Sequence, residues 1–289
     1  MKNRSVLFAA PAFILYTALM ILPILGAFAL SFTSWNGIQL SQMKFVGLSN
    51  FIKLFSDKRL GNAICVTLVI TFATAVIVNI GGLLLAILLN KAGKLTNLFR
   101  SIFFLPYVLS TVAVSFIWMA ILSYTGVLNS ALNLIGLGAF AGDFIGNAAN
   151  AIKSICVVEI WRTIGFYMVI YLAALQTVPQ ELNEACLIDG GGKWHIFRYV
   201  TLPHIVPSIA ICLMMSIVTE MRQFDIVKVL TNGGPGYATE TISYNIIVQA
   251  FGNNALGYSS AIAVMLFLVL AIIGVAQQFI TRKVQGDSV

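Results

Sequence analysis

The sequence predicts an all-α integral membrane protein with six transmembrane helices, and three observations predict it. Of 289 residues, 59% are hydrophobic and only 9% are charged, against roughly 45 to 50% and about 25% in a soluble domain. The mean hydropathy is +0.94. Apolar runs near the ~20 residues that carry a helix across hydrocarbon recur from one end of the chain to the other, with no long polar half between them. Each run must be helical, because lipid offers backbone N–H and C=O groups no partner. These features exclude soluble one-core enzymes, coiled coils, disordered chains and disulfide-stapled modules. The chain reads as a single membrane domain over residues 1–289.

The first run spans about Val6 to Phe32 and follows Lys2 and Arg4, as a signal peptide would. It is too long for one, and no small-residue cleavage site closes it before Trp35, so a helix is expected. The second runs from Ala63 to Leu89, the third from Ile102 to Leu122 and the fourth from Ser154 to Ala174. The fifth starts near Ile205, is cleanly apolar to Val218 and is carried to Arg222; the sixth covers Ser260 to Phe279.

An even number of helices puts both termini on one side, and Lys and Arg choose it. With cytoplasmic termini the inner loops and ends carry Lys2, Arg4, Lys91, Lys94, Arg100, Lys193, Arg198, Arg282 and Lys283, against six outside. The first outer loop runs against this bias, with Lys44, Lys53, Lys58 and Arg59. The formal charge of +7 is dispersed among apolar segments, so nucleic acid is not an expected partner. Cys65, Cys156, Cys186 and Cys212 lack metal or CxxC spacing and read as small hydrophobes.

The loops differ in kind. Residues 123–151 are rich in Gly, Ala and Asn and predict small turns or short interfacial helices. Residues 177–203 instead hold Glu181, Glu184 and Asp189 with helix signals of their own. Thr177 with Gln180 has capping-box spacing and Pro179 suits a first turn, predicting a helix from Pro179 to Ile188 that ends at Gly190 to Gly192. Trp194, Phe197 and Val200 recur at helical spacing in a second short helix from Lys193. Leu202, Pro203 and Pro207 are then expected to restart the chain as the fifth membrane helix. The result would be a rigid knob that another protein can grip.

Within this knob Glu184, Ala185, Cys186, Asp189, Gly190, Gly191, Phe197, Leu202, Pro203 and Pro207 stand in order. The series resembles the EAA loop of permease subunits of ATP-binding-cassette importers. Phe45 to Phe51 (FVGLSNF), Arg100 to Ser110 (RSIFFLPYVLS), Leu230 to Gly236 (LTNGGPG) and Gly257-Tyr258 are similar to the carbohydrate-uptake branch, so the resemblance covers nearly the whole chain. Two positions depart from the pattern: Cys186 stands for the second Ala and Gly191 for the third, both small for small. The resemblance implies a type I importer permease fold and an ATPase-coupling role for Glu184, Ala185, Cys186, Asp189, Gly190, Gly191, Phe197, Leu202 and Pro203. Glu184 would orient the contact by pairing with a basic residue of the ATPase, and Gly190 would permit the turn. GGPG at Gly233 to Gly236 would lie on the side from which substrate arrives.

Gly190 to Lys193 spells GGGK but is no phosphate loop. Leu187 stands where the first glycine belongs, Trp194 follows the lysine, and no strand precedes it. The chain is therefore not expected to hydrolyse ATP, and its energy must come from a partner or an ion gradient; the resemblance implies the former, with ATP and Mg bound by partner ATPase subunits and no enzyme activity or cofactor in this chain. Charges at membrane depth face cavities or one another. That makes Glu159, Arg162, Glu220, Arg222 and Asp225 candidates for the substrate pathway. Glu159 and Arg162 have i, i+3 spacing and read equally as a structural pair. Trp161, Tyr167, Asn245 and Gln249 are conceivable sugar contacts, each weighed against plain packing.

The resemblance implies that this chain forms half of a pathway for a sugar or oligosaccharide. Its partners would be a second, homologous permease in a heterodimer, two ATPases, an external solute-binding protein and membrane lipid. The setting would be a bacterial plasma membrane with both termini cytoplasmic. A secondary active transporter is the alternative, although internal repeats and coupling-ion sites are not found. An intramembrane enzyme lacks HExxH, GxSxG or suitably paired carboxylates.

Overall fold

The computed structural model describes residues 10–90 and 93–286, the side chains at 94 and 280–286 excepted. Lys2, Arg4 and Lys91 of the charge count lie outside the described residues. The helices are α1 (Ala10–Ser31), α2 (Ser49–Ser56), α3 (Lys58–Leu88), α4 (Lys94–Val108), α5 (Thr111–Leu122) and α6 (Val127–Leu134). They continue as α7 (Ala148–Gln176), α8 (Gln180–Ile188), α9 (Lys193–Met221), α10 (225–231), α11 (242–252) and α12 (Leu256–Gly286). Among the described residues the only strand-like pairing is an isolated bridge between Thr33 and Phe45. Among the described residues six segments are long and apolar enough to cross a membrane: α1, α3, α5 with α6, α7, α9 and α12.

Two expectations are corrected. The third segment is not one helix over 102–122. It is broken at Leu109 and Ser110, both with extended ψ angles (149° and 128°). Pro106 withdraws an N–H from the Ile102 carbonyl and weakens the ladder there. α4 is held elsewhere, against α7: a Cβ on Gly165 would collide with the Phe103 carbonyl oxygen, so the backbones touch.

The second correction concerns the fifth segment. No separate short helix precedes it, because α9 runs unbroken from Lys193 to Met221. Residues Ile196–Thr201 form a π turn just ahead of Pro203 and Pro207. That wider turn accommodates proline rings whose missing N–H groups would otherwise interrupt an α-helix. The other spans outrun their apolar cores by a polar turn or more, as at Lys58, Ala148 and Leu256. The Gly-rich loop does hold short helices, α6 and a 3₁₀ turn, tied down by Asn129, which donates to the Gly142 carbonyl at 2.9 Å and accepts from its N–H at 3.0 Å.

The chain forms two compact units. One comprises the chain up to Gly61 with Ile242–Ala271. Here Asn50 donates to the carbonyls of Ser31 and Thr33, both at 2.8 Å, and Phe51 packs on Phe32. Gly257 donates to the Trp35 carbonyl at 2.9 Å, and a Cβ there would collide with the Thr33 carbonyl oxygen. Tyr258 donates its hydroxyl to Asp57, whose other oxygen caps α3 by accepting from Arg59 and Leu60.

The other unit comprises Asn62–Thr241 with the chain from Ile272 onward. Its core packs Val78 and Ala86 of α3 against Tyr167, Met168, Tyr171 and Leu172 of α7 and Ile205 and Cys212 of α9. A Cβ on Gly82 would meet Tyr167 Cβ at 3.0 Å, so α3 and α7 approach closely. Inside this apolar contact Tyr171 donates to Asn79 at 2.6 Å, and Asn79 donates to Ser216 at 2.9 Å. Three membrane helices thereby share one satisfied polar network, whose breakage would strand a buried group in a low-dielectric interior.

Candidate functional site

The knob is built by α8 and the first turns of α9. Thr177 does not cap α8 as its spacing predicts. It ends α7, donating to the Ala174 carbonyl at 2.8 Å and meeting His204 at 3.3 Å. Pro179 stands at the N-cap without a side-chain bond, because the fixed ring leaves no cap to be made. At the other end the glycine turn is a Schellman motif: Gly191 donates to the Cys186 carbonyl at 2.8 Å and Gly190, with φ +81°, donates to Leu187 at 3.0 Å.

Glu184, Ala185 and Asp189 are exposed along the knob, Cys186 is half-buried under Gly191, and Phe197 packs on Trp194. Leu187, Ile188 and Trp194 add exposed apolar surface. A cavity of about 430 Å³ separates α8 from the base of α9, lined by Leu182, Tyr199, Val200, Pro203, His204 and Pro207. Leu202 is half-buried at the junction. The knob thus presents an exposed carboxylate, Glu184, and the apolar side chains of Leu187, Ile188 and Trp194 over a turn fixed by two hydrogen bonds.

At membrane depth the same unit holds a polar centre. Arg162 donates from Nη2 to Glu159 at 2.6 Å and from Nε at 3.1 Å, a bidentate pair. Arg162 is 8% exposed and Glu159 is fully buried; the guanidinium also lies over the Tyr107 ring at 5.7 Å. Glu220 is buried beside them, with Glu159, Thr74 and Arg162 as its polar neighbours but with no hydrogen-bonding geometry to its carboxylate oxygens among the described residues.

In front of this pair lies a pocket of about 260 Å³ lined by Thr111, Arg162, Thr219, Arg222, Gln223, Phe224 and Asp225. Two helix interruptions meet there, the break before Thr111 and the non-helical residues 222–224 between α9 and α10. Irregular backbone at membrane depth is tolerated where it is buried in protein or lines a cavity.

Of the residues read from sequence, Arg162, Arg222 and Asp225 line this pocket, with Glu159 and Glu220 behind. Trp161 instead packs edge-on against Trp118 at 5.5 Å, and Tyr167 is buried against Phe166. Asn245 and Gln249 are buried in the other unit, Gln249 accepting from Asn253 at 2.9 Å. Thr111, Thr219 and Gln223 were missed, because no periodicity marks a helix break. Pro106, a few residues upstream, was the available signal.

Residues 78–286 match the family of binding-protein-dependent transport system inner membrane components. The chain belongs to that family. It is 33% identical, over 96% of its length and 93% of the relative's, to a probable starch degradation products transport system permease protein of Thermoanaerobacterium thermosulfurigenes. It is equally identical, over 89% of its length and 88% of the relative's, to a multiple sugar-binding transport system permease protein of Streptococcus mutans.

A chain of a bacterial ABC transporter involved in the import of the acidic polysaccharide alginate superposes with a TM-score of 0.84 at 24% identity. The match covers 98% of this chain and 96% of that one. The fold expected from the resemblance, that of a type I importer permease, is therefore the observed one. An inner membrane component of a binding-protein-dependent system is a transport subunit, which displaces the secondary-transporter alternative.

Proposed function

We propose that this chain is one of two permease subunits of an ATP-driven importer for a neutral sugar or oligosaccharide delivered by a solute-binding protein. The observation that carries the reading is the intramembrane pocket in which Arg162, held by Glu159, meets two helix interruptions. Glu159 pairs with Arg162, and Asp225 and the buried Glu220 stand near the same wall as Arg222, so the wall offers donors and acceptors without a surplus of positive charge. That balance suits hydroxyl groups better than carboxylates. The sugar transport named for the relatives points the same way.

The partners follow from the exposed knob. α8 with Glu184, Ala185, Cys186, Asp189, Gly190 and Gly191 is the surface for one of two ATPase subunits, which bind ATP and Mg; this chain holds no cofactor. A second, different permease completes the pathway. The setting is a bacterial plasma membrane with the knob and both termini cytoplasmic. Binding of the loaded solute-binding protein and ATP draws the coupling surfaces together and opens the pathway outward, and hydrolysis resets it inward.

The test is uptake of radiolabelled neutral disaccharides into proteoliposomes holding the purified assembly. Accumulation is expected only with ATP inside and the binding protein outside. Uptake driven by a proton or sodium gradient without ATP would overturn the reading.

A further inference from the structure

The first loop carries four basic residues, Lys44, Lys53, Lys58 and Arg59, on the side that the charge bias leaves poor in them. The same loop carries α2, whose two apolar faces have different fates. Phe51 stacks on Phe32 and Leu54 is buried. Leu48, Ile52 and Phe55, spaced i, i+4 and i+7 along one face, point outward, and Phe55 is 94% exposed. Phe45, just upstream, is exposed as well. Ser49, Lys53 and Ser56 form the adjacent polar face, with the Lys53 ammonium over the Tyr258 ring at 4.3 Å, and Lys44 and Lys58 flank the helix on either side.

The chain fixes the depth of this helix. Asp57 alone separates α2 from α3, and Asn50 holds it to the last carbonyls of α1. α2 therefore lies at the Ser31 end of α1 and one polar turn beyond the apolar core of α3, at the level of the headgroups. A short helix with large apolar side chains on one exposed face, polar ones beside it and a lysine on either flank lies in the plane of that interface. Lysine stems follow the apolar surface while their ammonium groups reach the phosphates.

We propose that α2 is an interfacial anchor whose Leu48, Ile52 and Phe55 face is embedded among phospholipids, with Lys44 and Lys58 binding anionic headgroups. The exposed face adjoins the Ser31 end of α1, an apolar span whose Leu19, Leu22 and Leu25 are exposed as well. The lysines then serve as headgroup ligands, and their place outside the charge bias has a cause.

The test uses the purified assembly, with its native cysteines replaced, in nanodiscs of phosphatidylethanolamine and phosphatidylglycerol. A nitroxide is attached through Phe55→Cys or, for comparison, Gln39→Cys. The label at 55 is expected to be several-fold more accessible to oxygen than to a water-soluble nickel chelate, and the label at 39 the reverse. Equal access of the chelate to both positions would overturn the proposal. So would a label at 55 shielded from both reagents, which would place a protein over the face, or one shielded only after the solute-binding protein is added. Transfer to phosphatidylcholine alone should lower the ratio at 55, and an unchanged ratio would remove the anionic headgroups. None of these readouts depends on transport, so they stand or fall apart from the sugar reading.

Discussion

The sulfur of Cys186 fills the space that a methyl group at position 191 would need: a Cβ built on Gly191 lies 2.6 Å from Cys186 Sγ and 2.8 Å from the Cys186 carbonyl oxygen. The two departures from the Glu-Ala-Ala, Asp-Gly-Ala pattern are therefore one local arrangement. The larger residue at 186 is accommodated by the smaller at 191, and the turn that ends α8 keeps its geometry. Gly191→Ala should lower stability by about 1 to 3 kcal/mol through overpacking. Adding Cys186→Ala should restore part of it, the carbonyl contact remaining. Thermal unfolding of both single variants and the double variant measures the coupling, and strict additivity would contradict it.

Gly165 should tolerate no side chain. Its Cβ would enter the Phe103 backbone, which cannot rotate away, so Gly165→Ala should cost about 3 kcal/mol, the upper end of overpacking. Separation of α4 from α7 would appear as loss of the folded, monodisperse protein in detergent. Gly61 has nothing within 4 Å of its Cβ, and Gly61→Ala serves as the comparison.

The buried pair predicts an asymmetry. Arg162→Leu leaves Glu159 alone in a low-dielectric interior and should cost about 3 to 5 kcal/mol, whereas changing both residues to Gln should cost less, because no charge is stranded. Thermal stability of the three proteins decides this. Equal losses would mean that the pair contributes no more than its packing.

Much of this architecture was legible in the sequence, for reasons that particular residues make plain. The six apolar runs report solvent, and solvent dictates helix. The α8 end was readable within a residue because Gly190 adopts φ +81°, which disfavours other residues. Thr177 misled because a hydroxyl can serve the helix behind it as well as the one ahead. The break at Leu109 was hidden because those residues are as apolar as their neighbours. The Asn79, Tyr171 and Ser216 network was hidden because its members come from three helices that only the fold brings together.

The Lys58 end of α3 should loosen in acid. Partial burial pushes the Asp57 carboxyl up, but hydrogen bonds from Tyr258 and from the N–H groups of Leu60 and Arg59, with the Lys53 charge, hold it below its ordinary value. A lowered value in the folded state means that the contribution is complete above the ordinary value of 3.8 and is lost as pH falls through the folded one. Protection of the α2–α3 junction against hydrogen exchange, taken relative to the free-peptide rate at each pH, should fall in that window, and Asp57→Asn should remove the dependence. A junction equally protected at pH 6 and pH 3 would contradict the arrangement.

The central claim is that the exposed face of α8 is where an ATPase takes hold. Its most direct measurement is affinity purification of the tagged chain from mild detergent, wild type against Glu184→Lys, with the co-purifying proteins identified. Wild type should bring down a second permease and an ATPase, and the variant should keep the permease and lose the ATPase. Retention of the ATPase by Glu184→Lys at the wild-type ratio, or recovery of this chain only with copies of itself, would contradict the account.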